Sequence, residues 1–217
     1  MSNVVLESPL AALTGLGQRV LSVDGASVTL GELAFTDMLN IRGNAADAGF
    51  VPAVQSATGL SLPLIANTAS IGPTGQLLWL GPDEWVLKFP PSSAHYQHPS
   101  LAEAMETTLR SALAGQYVSL VPVGHGFTTL VVQGAGAADL LARGCPMDFH
   151  PRAFGAGAVA QTHVAKAGAT LLCLAAGTHF ELTVRRSFAD YLYRWLCEAG
   201  AAQAGCGARP ALLSSGI

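Results

Sequence analysis

Charged side chains are sparse in this chain. Of 217 residues, 11 are Lys or Arg and 14 are Asp or Glu, 12% in all, about half the roughly 25% of an ordinary soluble domain. The basic residues form no stripe or cluster, which argues against a nucleic-acid face. Hydrophobic residues reach 50%, so the low-hydrophobicity, high-charge composition of a disordered chain is absent too. Cysteine is confined to Cys145, Cys173, Cys197 and Cys206. None stands in a Cys-x-x-Cys pair or at zinc-site spacing. The opening Met1–Leu10 lacks a basic n-region and places Glu7 where a signal peptide would be apolar. A cytoplasmic setting with free thiols is expected.

Two long stretches carry no Asp, Glu, Lys or Arg: the 35 residues Ala48–Pro82 and the 28 residues Ser111–Ala138. A membrane span needs about 20 predominantly apolar residues. Pro52, Pro63, Pro73 and Pro82 interrupt the first stretch, and Pro122 with Gly124-His125-Gly126 the second. Neither reads as a spanning helix. They are either a large core or a surface covered by a partner.

Residues 1–18 read as an arm. Arg19–Val23 is a short strand turned by Asp24-Gly25. Apolar alternation over Leu33–Arg42 predicts a half-buried strand ended by Gly43, and 46–58 predicts a helix stopped by Gly59. Gln76–Leu80 and Glu84–Phe89 flank a Gly81-Pro82-Asp83 turn, a hairpin signal. Ser100-Leu101-Ala102-Glu103 is a capping box opening a helix to Ala114. In the second half, Tyr117–Val123 and Phe127–Gln133 read as strands and Gly136–Arg143 as a helix. Ala169–Ala175 and His179–Arg185 form a hairpin about Gly177-Thr178, and Ser187 with Asp190 caps a helix to about Ala199.

The halves follow one plan. Gly43 and Gly134 lie 91 residues apart, Gly81 and Gly177 96, and the caps Ser100 and Ser187 87. Strand–helix–hairpin–helix recurs in order, with little identity between the copies. The expected fold is a pseudo-duplicated α+β domain over 19–202, with halves 19–115 and 116–202 and a tail 203–217. Its sheet is mostly antiparallel and its helices are gathered on one face.

No group of residues assembles into a catalytic, cofactor or metal site in sequence. Cys145 before Pro146 would need a base such as His125 or His150 to act as a nucleophile, and nothing brings them together; a packed thiol is the simpler reading. His95 and His98 have metal-like spacing but precede Pro99 in a loop without carboxylate or Cys support. Gly134-Ala135-Gly136 lacks the third glycine and later acid of a dinucleotide fingerprint, so it reads as a tight turn. Trp79 and Trp85 alternate with Leu77, Leu87 and Phe89 as core residues do. Asp83-Glu84 reads as a solvated turn tip.

Several motifs together resemble one family. They are Asn40-Ile41-Arg42-Gly43, Leu62-Pro63 with Asn67-Thr68, and Leu78-Trp79-Leu80-Gly81-Pro82-Asp83-Glu84-Trp85. They continue with Arg143-Gly144-Cys145-Pro146-Met147-Asp148-Phe149-His150-Pro151 and Arg186-Ser187-Phe188-Ala189-Asp190-Tyr191-Leu192-Tyr193-Arg194-Trp195-Leu196. In this order, from about Leu33 to Leu196, they resemble the gamma subunit of heterotetrameric sarcosine oxidase.

The resemblance implies a place beside alpha, beta and delta subunits. That complex oxidatively demethylates sarcosine to glycine, yields peroxide and passes the one-carbon unit to tetrahydrofolate. It implies that FAD, FMN, NAD and zinc belong to other subunits, and that the fold is shared with the glycine-cleavage aminomethyltransferase. The transferase carries carboxylates where this chain has Ala165–Leu172, and Pro122 stands at another acidic position of that pattern. The expectation is a degenerate transferase fold kept as a structural subunit, with no site of its own. The alternatives are a folate-binding or one-carbon transfer protein, and the matching subunit of an oxidase or dehydrogenase for another N-methyl amino acid.

Overall fold

A computed structural model describes residues 7–14, 18–33, 35–91 and 100–201. The elements in order are α1 (Ala11–Thr14), β1 (Arg19–Val23), β2 (Ala26–Leu33), β3 (Met38–Arg42), α2 (Phe50–Thr58), β4 (Ala69–Gly72), β5 (Gly75–Gly81), β6 (Glu84–Lys88) and α3 (Leu101–Ala112). They continue with β7 (Ser119–Pro122), β8 (Phe127–Gln133), α4 (Ala137–Ala142), β9 (Val159–Val164), β10 (Ala167–Ala175), β11 (His179–Arg185) and α5 (Arg186–Ala201).

Two sheets result. One has the order β1-β2-β8-β11-β10-β9, the other β4-β5-β6-β3-β7, and every strand pair is antiparallel. The period-two pattern sends each strand's side chains to two different cores. Leu39, Ile41, Leu77, Trp85 and Leu87 pack outward against Phe50 and Val54 of α2 and Leu109 of α3. Leu130, Val132, Leu171, Phe180 and Leu182 pack outward against Leu140 of α4 and Leu192 and Leu196 of α5. The alternate residues Met38, Leu78, Val86, Val159 and Leu172 meet between the sheets. The architecture is therefore helix, sheet, sheet, helix, each sheet carrying its helices on its outer face.

The duplication is visible in the pairing. β3-α2-β4-β5-β6-α3 and β8-α4-β9-β10-β11-α5 have the same element order and the same neighbours within their sheets. The strand that leads into each copy is exchanged. β2 runs into β3 yet pairs with β8, and β7 runs into β8 yet pairs with β3. Sheet membership thus crosses the 115/116 division of the sequence.

The expected strand over Leu33–Arg42 is two strands in different sheets. Phe35 takes φ 57°, and the Thr36 hydroxyl donates to the Leu33 carbonyl, so the alternation continues across a bend that periodicity alone does not register. The expected helix over 46–58 starts only at Phe50, because Asn44 binds Asp47 and the Ala46 amide in a local turn and Gly49 takes φ 91°. The Ser100–Glu103 capping box is present, with both reciprocal hydrogen bonds. α5 instead begins at Arg186, directly after β11; Asp190 receives Arg194 at 3.0 Å and does not cap. Ala26–Leu33 and Val159–Val164 are additional strands. Leu10, within the expected arm, is fully buried in the larger core. His95 and His98, Cys206 and the tail 203–217 lie outside the described residues.

Candidate functional site

The inward faces of the two sheets carry the polar side chains that the outer cores exclude. At one end, Lys88 of β6 reaches across to Glu181 of β11 at 2.7 Å, with both side chains almost fully buried. The Gln76 amide donates to the other Glu181 oxygen at 3.1 Å. Burial pushes the Lys88 ammonium below its usual range, while Glu181 pulls the other way through charge and hydrogen bonding. A pocket of about 180 Å³ abuts this group.

At the other end the sheets part around a cleft of about 830 Å³, within the range of ligand and docking pockets. Met38, Leu78, Val86 and Phe127 line its apolar part, and Glu84, Gln161, Thr183 and Arg185 its polar part. Glu84 accepts from Asn40 at 2.8 Å and from Arg42 at 2.9 Å. Its expected role as a solvated turn tip therefore holds for exposed Asp83 but not for Glu84, which β3 holds in place through two cross-strand partners. Arg185 lies over the Phe127 ring, 5.4 Å from its centre. Gln161 spans the sheets by donating to the Leu80 carbonyl at 2.6 Å.

The two ends are related by the duplication. Lys88 stands opposite Met38 in the β3–β6 ladder, and Arg185 opposite Phe127 in the β8–β11 ladder. Glu84 precedes Lys88 by four residues, as Glu181 precedes Arg185. Glu-x-x-x-Lys and Glu-x-x-x-Arg on matching strands are the signal that sequence reasoning missed. Lys88 closes on Glu181, whereas Arg185 and Glu84 face an open cleft. Beside Lys88, β5 places Gln76; beside Arg185, β10 has Gly168, whose missing Cβ would meet nothing within 4 Å.

The residues singled out in sequence fall elsewhere or into the core. Cys145 is buried and its thiol faces the Thr162 hydroxyl at 3.9 Å. Exposed His125 sits in the short 3-10 turn Gly124–Gly126, and exposed His150 accepts the Arg152 amide on its Nδ1; neither imidazole is bonded to Cys145. Among the described residues, no three His, Cys, Asp or Glu side chains gather as a metal site. In the Gly134-Ala135-Gly136 turn, the Gly134 N–H binds the Thr178 carbonyl and the Gly136 N–H that of Ser27; the Ala137 N–H binds the Gly134 carbonyl and the Ala138 N–H that of Gly177, so these four amides are turned to backbone and not to an anion. Trp85 is buried with its indole N–H on the Pro63 carbonyl at 2.8 Å. Gly168, Ala169 and Thr170 do line the cleft, and none supplies a carboxylate.

The uncharged stretches are divided between core and exposed surface. Much of each is core. Yet Leu64 (59% exposed), Ile65 (74%) and Ile71 lie exposed in the first, and Tyr117 (98%) and Val121 in the second. No described helix is long and apolar enough to cross a membrane.

Comparison with known proteins agrees with this geometry. The sequence model of the sarcosine oxidase, gamma subunit family matches residues 42–202. The chain is 30% identical over 199 residues to sarcosine oxidase subunit gamma of Corynebacterium sp. (strain U-96), covering 91% of each. It is 28% identical to the corresponding Arthrobacter protein, covering 80% of each. A chain in the structure of heterotetrameric sarcosine oxidase from Corynebacterium sp. U-96, in complex with pyrrole 2-carboxylate, superposes with a TM-score of 0.79 at 27% identity. That match covers 94% of this chain and 99% of the other. Aminomethyltransferase T of the glycine cleavage system from Bartonella henselae shares the fold at 15% identity and a TM-score of 0.54, covering 88% and 57%.

Proposed function

The chain belongs to the sarcosine oxidase gamma subunit family, and from that premise we propose that it is the non-catalytic structural subunit of a cytoplasmic sarcosine oxidase complex. The complex demethylates sarcosine oxidatively to glycine, with peroxide formation and transfer of the one-carbon unit to tetrahydrofolate. The exposed apolar side chains carry this reading. Leu64, Ile65, Ile71, Tyr117 and Val121 stand within stretches that offer no charge to solvate them, as expected of surfaces hidden by a partner. Alpha, beta and delta subunits are the partners.

FAD, FMN, NAD, tetrahydrofolate and zinc are assigned to those other subunits. The residues here do not fit a nucleotide, since the Gly134, Gly136, Ala137 and Ala138 amides around the glycine turn bind backbone carbonyls. The stretch Ala165–Leu172, where the resemblance implies the transferase's carboxylates, offers none toward a folate, and Ala169 and Thr170 line the cleft there.

Co-expression with the three other subunits tests the proposal. The expected result is a single complex that survives gel filtration at low and high salt, because an apolar interface is little screened. A monomer that ignores those subunits at micromolar concentration overturns it, as does sarcosine oxidation by the isolated chain.

A further inference from the structure

The duplication supplies an internal reference for the cleft. At the closed end, a cation that ends one central strand is satisfied by a carboxylate reaching over from the facing sheet. At the open end the same strand position holds Arg185, which contacts Phe127. Glu84, the counterpart of Glu181 by symmetry, is held by Asn40 and Arg42. Among the described residues no carboxylate is bonded to Arg185. The space that Gln76 fills at the closed end is left open by Gly168.

From this difference we infer that the cleft seats a segment of another subunit, whose Asp or Glu carboxylate meets the Arg185 guanidinium while neighbouring apolar side chains fill the space over Phe127, Met38 and Val86. The inference rests on the subunit reading. Two observations select a protein segment as the occupant. Arg185 presents an exposed cation at the cleft, stacked on Phe127, and its planar guanidinium suits a carboxylate. The margin of the cleft also has interface chemistry. Phe188 lines it and is exposed, Tyr191 is exposed one turn further along α5, and Val121 is exposed beside Asn40 in the β3–β7 ladder. Exposed aromatics and an arginine around an apolar floor are the composition enriched in protein interfaces.

The experiment uses the full chain co-expressed with the other subunits. A photo-crosslinking p-benzoylphenylalanine in place of Phe188 should capture a partner peptide containing Asp or Glu. Gly168→Trp, which grows into open space, and Arg185→Met should each weaken assembly by about tenfold or more, with Arg185→Lys intermediate and circular dichroism unchanged. The inference is overturned if the parent chain assembles, both variants assemble equally well and the crosslinks stay within this chain. It is also overturned if denaturing the parent complex releases a small carboxylic acid from the cleft. Failure of the parent chain itself to assemble overturns the subunit reading, and this inference with it.

Discussion

Lys88 and Glu181, 93 positions apart in the chain, form a buried ion pair that joins the two sheets at 2.7 Å. Both side chains are almost fully buried, so the consequences of the pair are those of charge held out of water. Removing one partner strands the other, and such losses cost about 3–5 kcal/mol. Lys88→Met is expected to destabilise the chain by that amount in urea denaturation. The double variant Lys88→Met with Glu181→Met should recover most of the loss, because two apolar side chains of similar volume replace both charges.

The same pair has a pH signature. Burial lowers the folded-state pKa of Lys88 below its ordinary 10.5. The folded chain therefore sheds this proton before the unfolded chain does, and stability from this group rises with pH up to that value. The stability gap between parent and Lys88→Met should widen between neutral pH and about 10.5. A constant gap across paired denaturation series would contradict the burial argument.

Gly134 takes φ 130°, and a Cβ there would lie 2.2 Å from the Ser27 carbonyl oxygen. Backbone meets backbone, so no rotamer relieves the clash. Gly134→Ala should cost about 3 kcal/mol or prevent folding. Gly168→Ala, with open space at its Cβ, should stay within about 1 kcal/mol of the parent. Thermal melts of the two variants side by side give the comparison.

Burial raises the thiols of Cys173 and Cys197 above their ordinary 9.0; at Cys197, Arg19 acts in the opposite direction. Both should resist iodoacetamide at pH 8 in the native chain and react fully in denaturant, as read by peptide mass spectrometry. Because the folded state keeps protons that the unfolded state loses, their contribution to stability declines as pH rises above about 9.

The Ser100 hydroxyl accepts the Glu103 amide, and the Glu103 carboxylate accepts the Ser100 amide at 2.7 Å. Ser100→Ala should lower stability by about 1 kcal/mol. The loss should be felt locally, as faster hydrogen exchange in the first turn of α3.

Local chemistry was legible in the sequence. The Ser100 box, the hairpin about Gly177 and the Trp85 core face follow from patterns within a few residues, and the repeated order of elements gave the duplication. What could not be read was partner choice between strands. Alternation runs unbroken from Leu33 to Ile41 whether β2 and β3 share a sheet or, as here, divide at Phe35. The cleft escaped for a related reason. Glu84 and Arg185 are ordinary surface residues in isolation, and only the facing of the sheets brings them to one space.

The exchange of β2 and β7 also sets an order of events at the ribosome. β2 is synthesised early but finds its partner only when β8 emerges, roughly a hundred residues later, a wait of about 5–20 s at ordinary elongation rates. Over that interval β3 to β7 emerge in turn and the first sheet can close, while β2 and β1 form an unsupported hairpin whose β2 edge still lacks its partner. A sequence poor in charge must pass through that interval with apolar surface open. The two copies are thus joined in time as well as in space, because the second sheet takes in a strand, β2, that is made before the whole of the first copy.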